Sequence, residues 1–243
     1  MKKKLRIIYN YDTCYGRDVW DIFSEGLDDH SEWLQELTVY GKSVKLEKIS
    51  KYLMRHAHFS IENKCFEFGF GRDGGYKFDD LILQSGVIPI PLLEEIAMNL
   101  VRYDKGIYGW LVDGEYQVWQ NATSLDYYNR RGRSIDGLPL CSNGKPKPLT
   151  EMIVDTTQNP GRNVFHEGYI ETVGGIMWFT DEFFRVTGCD KDALLRVPFV
   201  KTDEHDGILK VVLDEDLLAH AEGDQEMAVK QDTLRAILFP RTA

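Results

Sequence analysis

The chain has 243 residues, of which 43% are hydrophobic and 12% aromatic, and this composition excludes a disordered or fibrous protein. The formal net charge of -10 disfavours nucleic acid and anionic membranes as main partners, because both would be repelled. No apolar run reaches the roughly 18 residues that span a bilayer, and polar residues interrupt the basic N-terminus before a signal peptide could form. The four cysteines form no Cys-x-x-Cys pair, which favours reduced thiols. We therefore expect a cytoplasmic protein whose partner is basic and is neither a membrane nor a nucleic acid.

The N-terminal part of the chain is predicted to form a strand followed by two helices. Leu5–Tyr9 is an apolar run typical of a strand. Apolar side chains then recur every three or four residues from Val19 to Leu37, which predicts a helix that ends by Gly41. A second helix is predicted over Leu46–Ala57, because its apolar residues share one face and its lysines lie on the other.

The pattern then changes to a period of two, which predicts a β-hairpin. Phenylalanines alternate with other residues over Phe66–Phe70, and the alternation resumes at Tyr76 and Phe78 after a glycine-rich turn. Gly69–Gly74 also matches the G-x-G-x-x-G pattern of dinucleotide-binding loops. Such a loop must lead into a helix, whereas a strand pattern follows here, so a hairpin turn is favoured.

A third helix and a second hairpin are predicted next along the chain. Pro91 suits the first position of a helix, and the apolar residues of Leu92–Val101 supply its buried stripe. Ile107–Val112 and Tyr116–Trp119, joined by Asp113–Glu115, predict the second hairpin. Hairpins interleaved with helices favour an α+β fold, in which antiparallel strands pack with several helices, over a parallel doubly wound sheet.

Residues 136–148 are rich in proline and glycine, so this segment is either a domain boundary or a long functional loop. We predict one α+β domain over residues 1–243. A division into two lobes, 1–135 and 149–243, stays open.

The C-terminal part of the chain is predicted to contain two strands and two helices. Tyr169–Val173 and Ile208–Leu213 have the apolar, β-branched composition of strands. Thr180 is a suitable cap for a short helix that ends before Gly188. A last helix is predicted over Asp224–Leu238, because Pro240 follows it.

Acidic residues are concentrated in Asp181–Glu226, in contrast to a basic, aromatic stretch over Tyr127–Lys147. Within the acidic stretch, Asp203–Asp206 has three interpretations: a solvated turn, a partner-binding segment, or a metal or acid-base site. The tyrosines and arginines of Tyr127–Arg133 are types that contact nucleic acid, but in an acidic chain such arginines also pair with internal carboxylates. No catalytic or metal-binding motif is found, which favours a protein that is not an enzyme and has no cofactor and no metal.

A set of apolar anchors and glycines runs through the last third of the chain. These segments are Gly175–Phe183, Thr187–Gly188, Leu194–Leu195, Gly207–Leu213, Gly223–Gln225 and Leu234–Pro240. Their order resembles the C-terminal region of immunity proteins encoded beside bacterial antagonistic toxins, including those of type VI secretion systems and the immunity protein 52 family. The first two thirds of the chain match no family pattern.

The resemblance implies a non-catalytic inhibitor that binds a cognate toxin tightly, with a nuclease as one candidate toxin. An acidic surface would be steered toward the basic surface of such a toxin. The residues expected to bind the toxin are six acids and one aromatic anchor, the latter only if it is exposed. They are Asp203, Glu204, Asp206, Asp214, Glu215, Asp216 and Trp178.

Two alternatives come from other functional classes. A small cytosolic enzyme acting on an anionic substrate would use Asp203, His205 and Asp206, with the arginines of Tyr127–Arg133 as an anion clamp. It requires these two segments to meet in one cleft. A regulatory subunit of a permanent complex would instead expose a large apolar patch. The sequence determines neither the toxin nor the oligomeric state.

Overall fold

The computed structural model describes residues 2–53, 58–103 and 106–240. Strands of the N-terminal part are β1 Lys3–Asn10, β2 Thr38–Val39, β3 Lys42–Ser43, β4 Phe59–Glu62, β5 Phe66–Asp73, β6 Phe78–Ser85 and β7 Gly106–Asp113. Strands of the C-terminal part are β8 Leu140–Ser142, β9 Met152–Val154, β10 Val164–His166, β11 Tyr169–Glu171, β12 Ile176–Phe179, β13 Lys201–His205 and β14 Ile208–Val212. The α-helices are α1 Gly16–Glu25, α2 Leu46–Leu53, α3 Ile90–Arg102, α4 Gly114–Asn121, α5 Leu125–Arg130, α6 Asp181–Thr187, α7 Lys191–Leu195 and α8 Gln225–Leu238.

Ten of these strands form one sheet in the order β13-β14-β12-β7-β1-β6-β5-β4-β2-β3. Every neighbouring pair in it is antiparallel. Two small hairpins, β8–β9 and β10–β11, lie outside it. The predicted α+β fold with antiparallel strands is confirmed. Within the described residues, each helix is too short or too polar to cross a bilayer.

Helices cover both faces of the sheet and bury two large hydrophobic cores. On one face, α1, α2 and α3 pack their apolar stripes against strand residues such as Leu5, Ile7 and Trp178. On the other face, α6, α7 and α8 pack against residues such as Trp110 and Phe179. All eight residues of β7 are buried because both faces of this central strand are covered.

The predicted hairpin between residues 107 and 119 is wrong in its second half. Gly106–Asp113 is a strand, but the chain then turns directly into helix α4 instead of returning as a strand. The Asp113 carboxylate accepts a hydrogen bond of 2.8 Å from the backbone N–H of Tyr116 and so caps the helix. The backbone N–H of Gly114 also donates to the Lys2 carbonyl, at 2.6 Å. This N-terminal capping and the burial of helical residues such as Tyr116 and Trp119 outweigh the strand preference of the aromatic residues.

The first predicted helix is shorter than its periodicity suggested. α1 ends at Glu25, and a 3₁₀-helix follows over Asp28–Leu34, with a kink at His30 where φ is -131° and ψ is 38°. The apolar repeat continues across this break because the 3₁₀ segment still presents Leu34 to the core. α2 matches the predicted second helix from Leu46 to Leu53, and its expected extension to Ala57 lies outside the described residues.

Most of the other predicted elements are present at the expected positions. The Phe66–Phe70 pattern forms β5, which continues to Asp73, so five of the six residues of Gly69–Gly74 lie in the strand. The hairpin turn is formed by residues 74–77 and includes Tyr76, which was predicted to lie in the second strand.

α6 begins after Thr180, but the Thr180 side chain does not cap the helix as predicted, because its hydroxyl donates to the carbonyls of Gly106 and Ile107. The helix ends before Gly188, whose φ of 72° is the left-handed conformation that glycine adopts easily. Asp224 caps α8 by accepting from the N–H groups of Glu226 and Met227.

The proline- and glycine-rich segment 136–148 contains the short strand β8. Strands from both sides of this segment belong to the large sheet, since β7 precedes it and its neighbour β12 follows it. The division of the chain into one domain or two lobes stays a prediction.

Candidate partner-binding surface

The outermost strand of the large sheet and the turn that follows it carry three of the predicted acidic residues. All five residues of β13 are exposed, including Asp203 and Glu204. β13 pairs only with β14 within the described sheet, so its outer backbone edge is open. Asp206, with a φ of 51°, and Gly207, with a φ of 76°, form the two-residue turn between these strands. We call Lys201–Val212 the acidic hairpin.

The acids of this hairpin differ in their partners. Glu204 accepts from Lys191 of α7 at 2.8 Å, and Asp206 accepts from Arg102 at the end of α3, also at 2.8 Å. Within the described residues no side chain is bonded to Asp203, because its cross-strand neighbour Lys210 pairs with Glu94. The bonds to Glu204 and Asp206 are solvent-exposed, so they contribute little to stability and can be exchanged for bonds to a partner at low cost.

The other three predicted acids lie beyond the opposite end of β14. Glu215 accepts from Lys201 at 2.6 Å, and the hydrogen bond and positive charge of that lysine lower the pKa of the Glu215 carboxyl. Asp214 accepts from the backbone N–H of Leu218 at 2.6 Å and thereby shapes the turn after β14. Asp216 is exposed. The six acids therefore form two groups separated by the length of a five-residue strand, about 15 Å, and not one cluster.

Trp178 cannot serve as the aromatic anchor in this conformation. Its side chain is fully buried, with 0% exposure. It lies on β12, between Gly109 of β7 and Lys210 of β14, and packs in the core beneath α1–α3. Trp178 was expected to contact a partner only if its side chain is exposed. The helices that cover both faces of the central strands keep it buried.

An exposed aromatic patch, which the sequence did not single out, lies at the end of the sheet where β1 stops. Tyr11, Tyr76 and Phe165 are each about two-fifths exposed, at 38%, 44% and 40%. The rings of Tyr76 and Phe165 are 5.2 Å apart, and the Lys77 ammonium lies 5.0 Å from the Tyr11 ring centroid. We call Tyr11, Tyr76 and Phe165 the aromatic patch. In the sequence, Tyr11 and Tyr76 are each a tyrosine next to a charged residue. This pattern is too common to identify a surface.

The aromatic patch and the turn of the acidic hairpin lie at the same end of the sheet. The register places Asn10 opposite Phe78, next to the patch, and His205 opposite Ile208, next to the turn. Between them, the Asn10 side chain donates to Glu182 of α6 at 2.9 Å. The two features are about four strands apart in the sheet order, about 19 Å at ordinary strand spacing. A partner with a standard interface of about 800 Å² per side is wide enough to contact both.

The segments required for the enzyme alternative do not meet. Arg130 and Tyr127 line a pocket beside Lys4, near the start of β1. Asp206 lies near the level of the end of β1 and four strands away from it. His205 and Asp206 contact each other at 3.3 Å, but both are exposed. In the described part of the chain, no group of three or more His, Cys, Asp or Glu side chains is placed to hold a metal ion.

Two of the three arginines in Tyr127–Arg133 are engaged within the protein. The Arg133 guanidinium stacks 4.3 Å from the Trp119 ring centroid and pairs with Glu222. Arg131 lies 3.8 Å from Glu115 and over the Tyr127 ring. This internal pairing was the alternative to nucleic-acid contact that the excess of acid favoured.

The fold is similar to that of the Pseudomonas aeruginosa T6SS protein PA0821, with a TM-score of 0.54. The match covers 99% of this chain and 73% of that chain, and the two sequences are 12% identical. The likeness shows a shared fold. No protein-family model matches the chain, and a search of curated proteins gave no match.

Proposed function

We propose that this chain is a cytoplasmic immunity protein that binds a cognate secreted bacterial toxin and neutralises it. The observation that carries the proposal is the fold likeness, over 99% of the chain, to a protein of the T6SS, the type VI secretion system. That likeness alone does not distinguish an inhibitor from another T6SS component, and the resemblance of Gly175–Pro240 to immunity proteins supports the step to an immunity protein. A protein that inhibits by binding needs a rigid scaffold and an exposed recognition surface, and it needs no catalytic group.

The acidic hairpin supplies the electrostatic part of the proposed interface. A net charge of -10 and an exposed strand with Asp203 and Glu204 favour a toxin with a basic surface. Electrostatic steering of this kind raises association rates about 10 to 1,000-fold at low salt. Because Lys191 and Arg102 only bridge exposed carboxylates, a toxin lysine or arginine can replace them without opening the core.

The aromatic patch supplies the apolar part of the proposed interface. Tyrosine and arginine are enriched among the residues that dominate binding energy at protein interfaces. Tyr11 and Tyr76 are exposed, and Arg72 lies 5.8 Å from the Tyr11 ring while its own charge is paired with the buried Asp79. The patch is therefore held in place before a partner binds, which reduces the entropy lost on association.

The test begins with identification of the toxin. The tagged full-length chain is used to capture partners from its native cytosol at low and at high salt, and retained proteins are identified by mass spectrometry. The captured protein is then expressed with and without this chain in a sensitive host. The proposal expects a stoichiometric partner whose toxicity is abolished by co-expression. A partner that is not toxic, or whose toxicity is unchanged by this chain, would contradict it.

Matched variants then test the interface. The first variant neutralises the acidic hairpin through Asp203→Asn, Glu204→Gln and Asp206→Asn, and asparagine at 206 keeps the left-handed turn favourable. The control variant neutralises three exposed acids on the 3₁₀-helix through Asp28→Asn, Asp29→Asn and Glu32→Gln, which changes the net charge equally. We expect the first variant to weaken toxin binding about 10-fold and to reduce its salt dependence, and the control to do neither.

A second variant tests the aromatic patch separately. Tyr11→Ala with Tyr76→Ala is expected to weaken binding about 30-fold or more and to leave the salt dependence unchanged, because the lost contacts are apolar. Equal affinities of this variant and the wild type would remove the patch from the interface. Equal effects of the two acid-neutralising variants would remove the acidic hairpin.

A further inference from the structure

The open edge of the large sheet at β13 is long and regular. β13 is the last strand on its side of the described sheet, and all five of its residues are exposed. Its register with β14 runs without a shift from Lys201 opposite Val212 to His205 opposite Ile208, so no bulge interrupts the edge. The opposite edge of the described sheet is β3, which has two residues and offers little backbone for pairing. Of these two edges, β13 is therefore the one that has room for another strand.

The backbone groups of Thr202 and Glu204 point away from the sheet. His205 and Ile208 flank the two-residue turn, so their backbone groups bond to each other within the hairpin. Bonded and non-bonded pairs alternate along an antiparallel ladder, which makes Asp203 the next residue of β13 that bonds to β14. Thr202 and Glu204 thus direct their N–H and C=O groups to the open side, where the described sheet has no further strand. These donors and acceptors are available to a strand from another molecule.

Asp203 is placed to select a cation on such a strand. Its side chain is exposed and has no bonded partner within the described residues, because Lys210 opposite it pairs with Glu94. Since the backbone groups of Asp203 point to β14, a residue facing it from the open side would form a non-hydrogen-bonded pair, with the two Cα atoms about 4.5 Å apart. A lysine or arginine at that position forms a cross-strand pair of opposite charge.

The charge of this edge disfavours a second copy of the chain as the added strand. Two β13 strands paired with each other would bring the carboxylates of Asp203 and Glu204 in both copies close together, and like charges on facing strands are destabilising. The net charge of -10 on each copy adds to the repulsion. An extended segment with basic residues meets neither penalty.

We propose that β13 binds an extended basic segment of the partner as an additional strand, with a lysine or arginine beside Asp203. In this mode of recognition, main-chain hydrogen bonds supply affinity and the side chains supply specificity. The main-chain bonds go to Thr202 and Glu204, and the Asp203 carboxylate selects the charge. This binding mode rests on the proposed function, which supplies the toxin as the partner.

Three peptides separate the backbone bonds from the charge, with the full-length chain as the receptor. The first is acetyl-Thr-Lys-Val-Lys-Thr-amide. The second has the same sequence with methylated backbone nitrogens at its three central residues, so it keeps the charges and loses those donors. In the third, glutamate replaces both lysines. Binding is followed by titration in nuclear magnetic resonance spectra, and hydrogen exchange of the Thr202 and Glu204 backbone amides is measured with and without peptide.

The expected results differ among the three peptides. The lysine peptide should give saturable shifts of the Thr202 and Glu204 amide signals and slow their hydrogen exchange about 10-fold at saturation, because these N–H groups become bonded. The methylated peptide should bind about 10-fold more weakly, since it cannot complete the ladder. The glutamate peptide should bind more weakly still, because it keeps the backbone donors but is repelled by the acids of the edge.

Variants assign the binding to this edge. Thr202→Pro removes an outward donor and spares the ladder to β14, because proline is tolerated in an edge strand where its nitrogen faces solvent. Thr202→Ala is the matched control, since it also loses the side chain and keeps the N–H. We expect Thr202→Pro to weaken binding of the lysine peptide about 10-fold relative to Thr202→Ala. Asp203→Asn should reduce the preference for the lysine peptide over the glutamate peptide, whereas Asp28→Asn, at an exposed acid of the 3₁₀-helix, should not.

Slower exchange of both amides with the lysine peptide, together with weaker binding in Thr202→Pro than in Thr202→Ala, would support this binding mode. The absence of a saturable shift at Thr202 and Glu204 would overturn it, and so would equal affinities of the methylated and unmethylated peptides. If Thr202→Pro does not fold, that comparison of peptides on the wild type decides whether the backbone bonds are required. No toxin is present in this assay, so a negative result leaves the proposed function untouched, and a failure to capture a toxin leaves the peptide result valid.

Discussion

Replacement of Arg235 by methionine is expected to loosen the attachment of residues 160–171 to α8. Arg235 is 4% exposed, and its guanidinium donates to Glu171 Oε1 at 3.0 Å. It also donates to the backbone carbonyls of Pro160 at 2.9 Å and Arg162 at 2.8 Å. Burial lowers the pKa of Arg235, and the bond to Glu171 opposes that effect. Methionine keeps the apolar stem and removes all of these bonds.

The magnitude follows from what each partner can do after the change. Removal of one member of a buried ion pair costs about 3 to 5 kcal/mol, because the other charge stays unpaired. Glu171 has a side-chain exposure of 20% and keeps a contact with His166 at 3.2 Å, so it is partly solvated after the loss of Arg235. We therefore expect the lower end of the range, about 3 kcal/mol. This is a large share of a total stability of about 5 to 15 kcal/mol.

Urea unfolding followed by tryptophan fluorescence measures this loss. With a slope of about 3 kcal/mol per molar urea, the midpoint should fall by about 1 M. The urea midpoint of Arg235→Lys should lie between those of the wild type and Arg235→Met, because lysine keeps the charge but cannot bond to several acceptors in the same geometry. Arg196→Met is the control, since its side chain is 71% exposed and lies 4.0 Å from Asp190. Midpoints of Arg235→Met and Arg196→Met that agree within error would refute the reasoning.

Iodoacetamide is expected to modify the half-exposed Cys141 in the native protein and to spare Cys189, because burial raises the pKa of that thiol to about 12. Peptide mass spectrometry checks this, and equal labelling of both would contradict it. Gly106→Ala would bring its Cβ into the Val101 carbonyl oxygen, so a loss of about 2 kcal/mol is expected in urea unfolding, and an unchanged midpoint would rule this out.

The two hairpin predictions show why similar patterns had different outcomes. The alternation over Phe66–Phe70 predicted a strand correctly, because these side chains point alternately to a buried and a less buried face. Tyr116–Trp119 has an equally strand-like composition but is helical. The Asp113 cap is visible in the sequence as an acid immediately before α4, but the aromatic residues that follow it favour a strand. Packing of α4 against β7 favours the helix over the strand. This packing depends on a distant part of the fold and cannot be read from the local sequence.

The two binding regions differ in how far the sequence could predict them. Asp203, Glu204 and Asp206 are close in the chain and stay together on one hairpin, so charge alone was enough to group them. Asp216 is near them in sequence as well, but a strand between them separates the two groups in space. The residues of the aromatic patch, Tyr11, Tyr76 and Phe165, come from distant parts of the chain, and the fold alone brings them to one end of the sheet.

The sequence by itself determined the α+β class, the positions of helices α6 and α8, the β5–β6 hairpin and the acidic character of Lys201–Asp216, because each depends on residues within a few positions of one another. Only the tertiary structure decided the order of the ten strands, the burial of Trp178 and the aromatic patch. These features depend on which distant segments pack together. Packing on both faces of the sheet removes some side chains from water and leaves others exposed, and no local pattern records which.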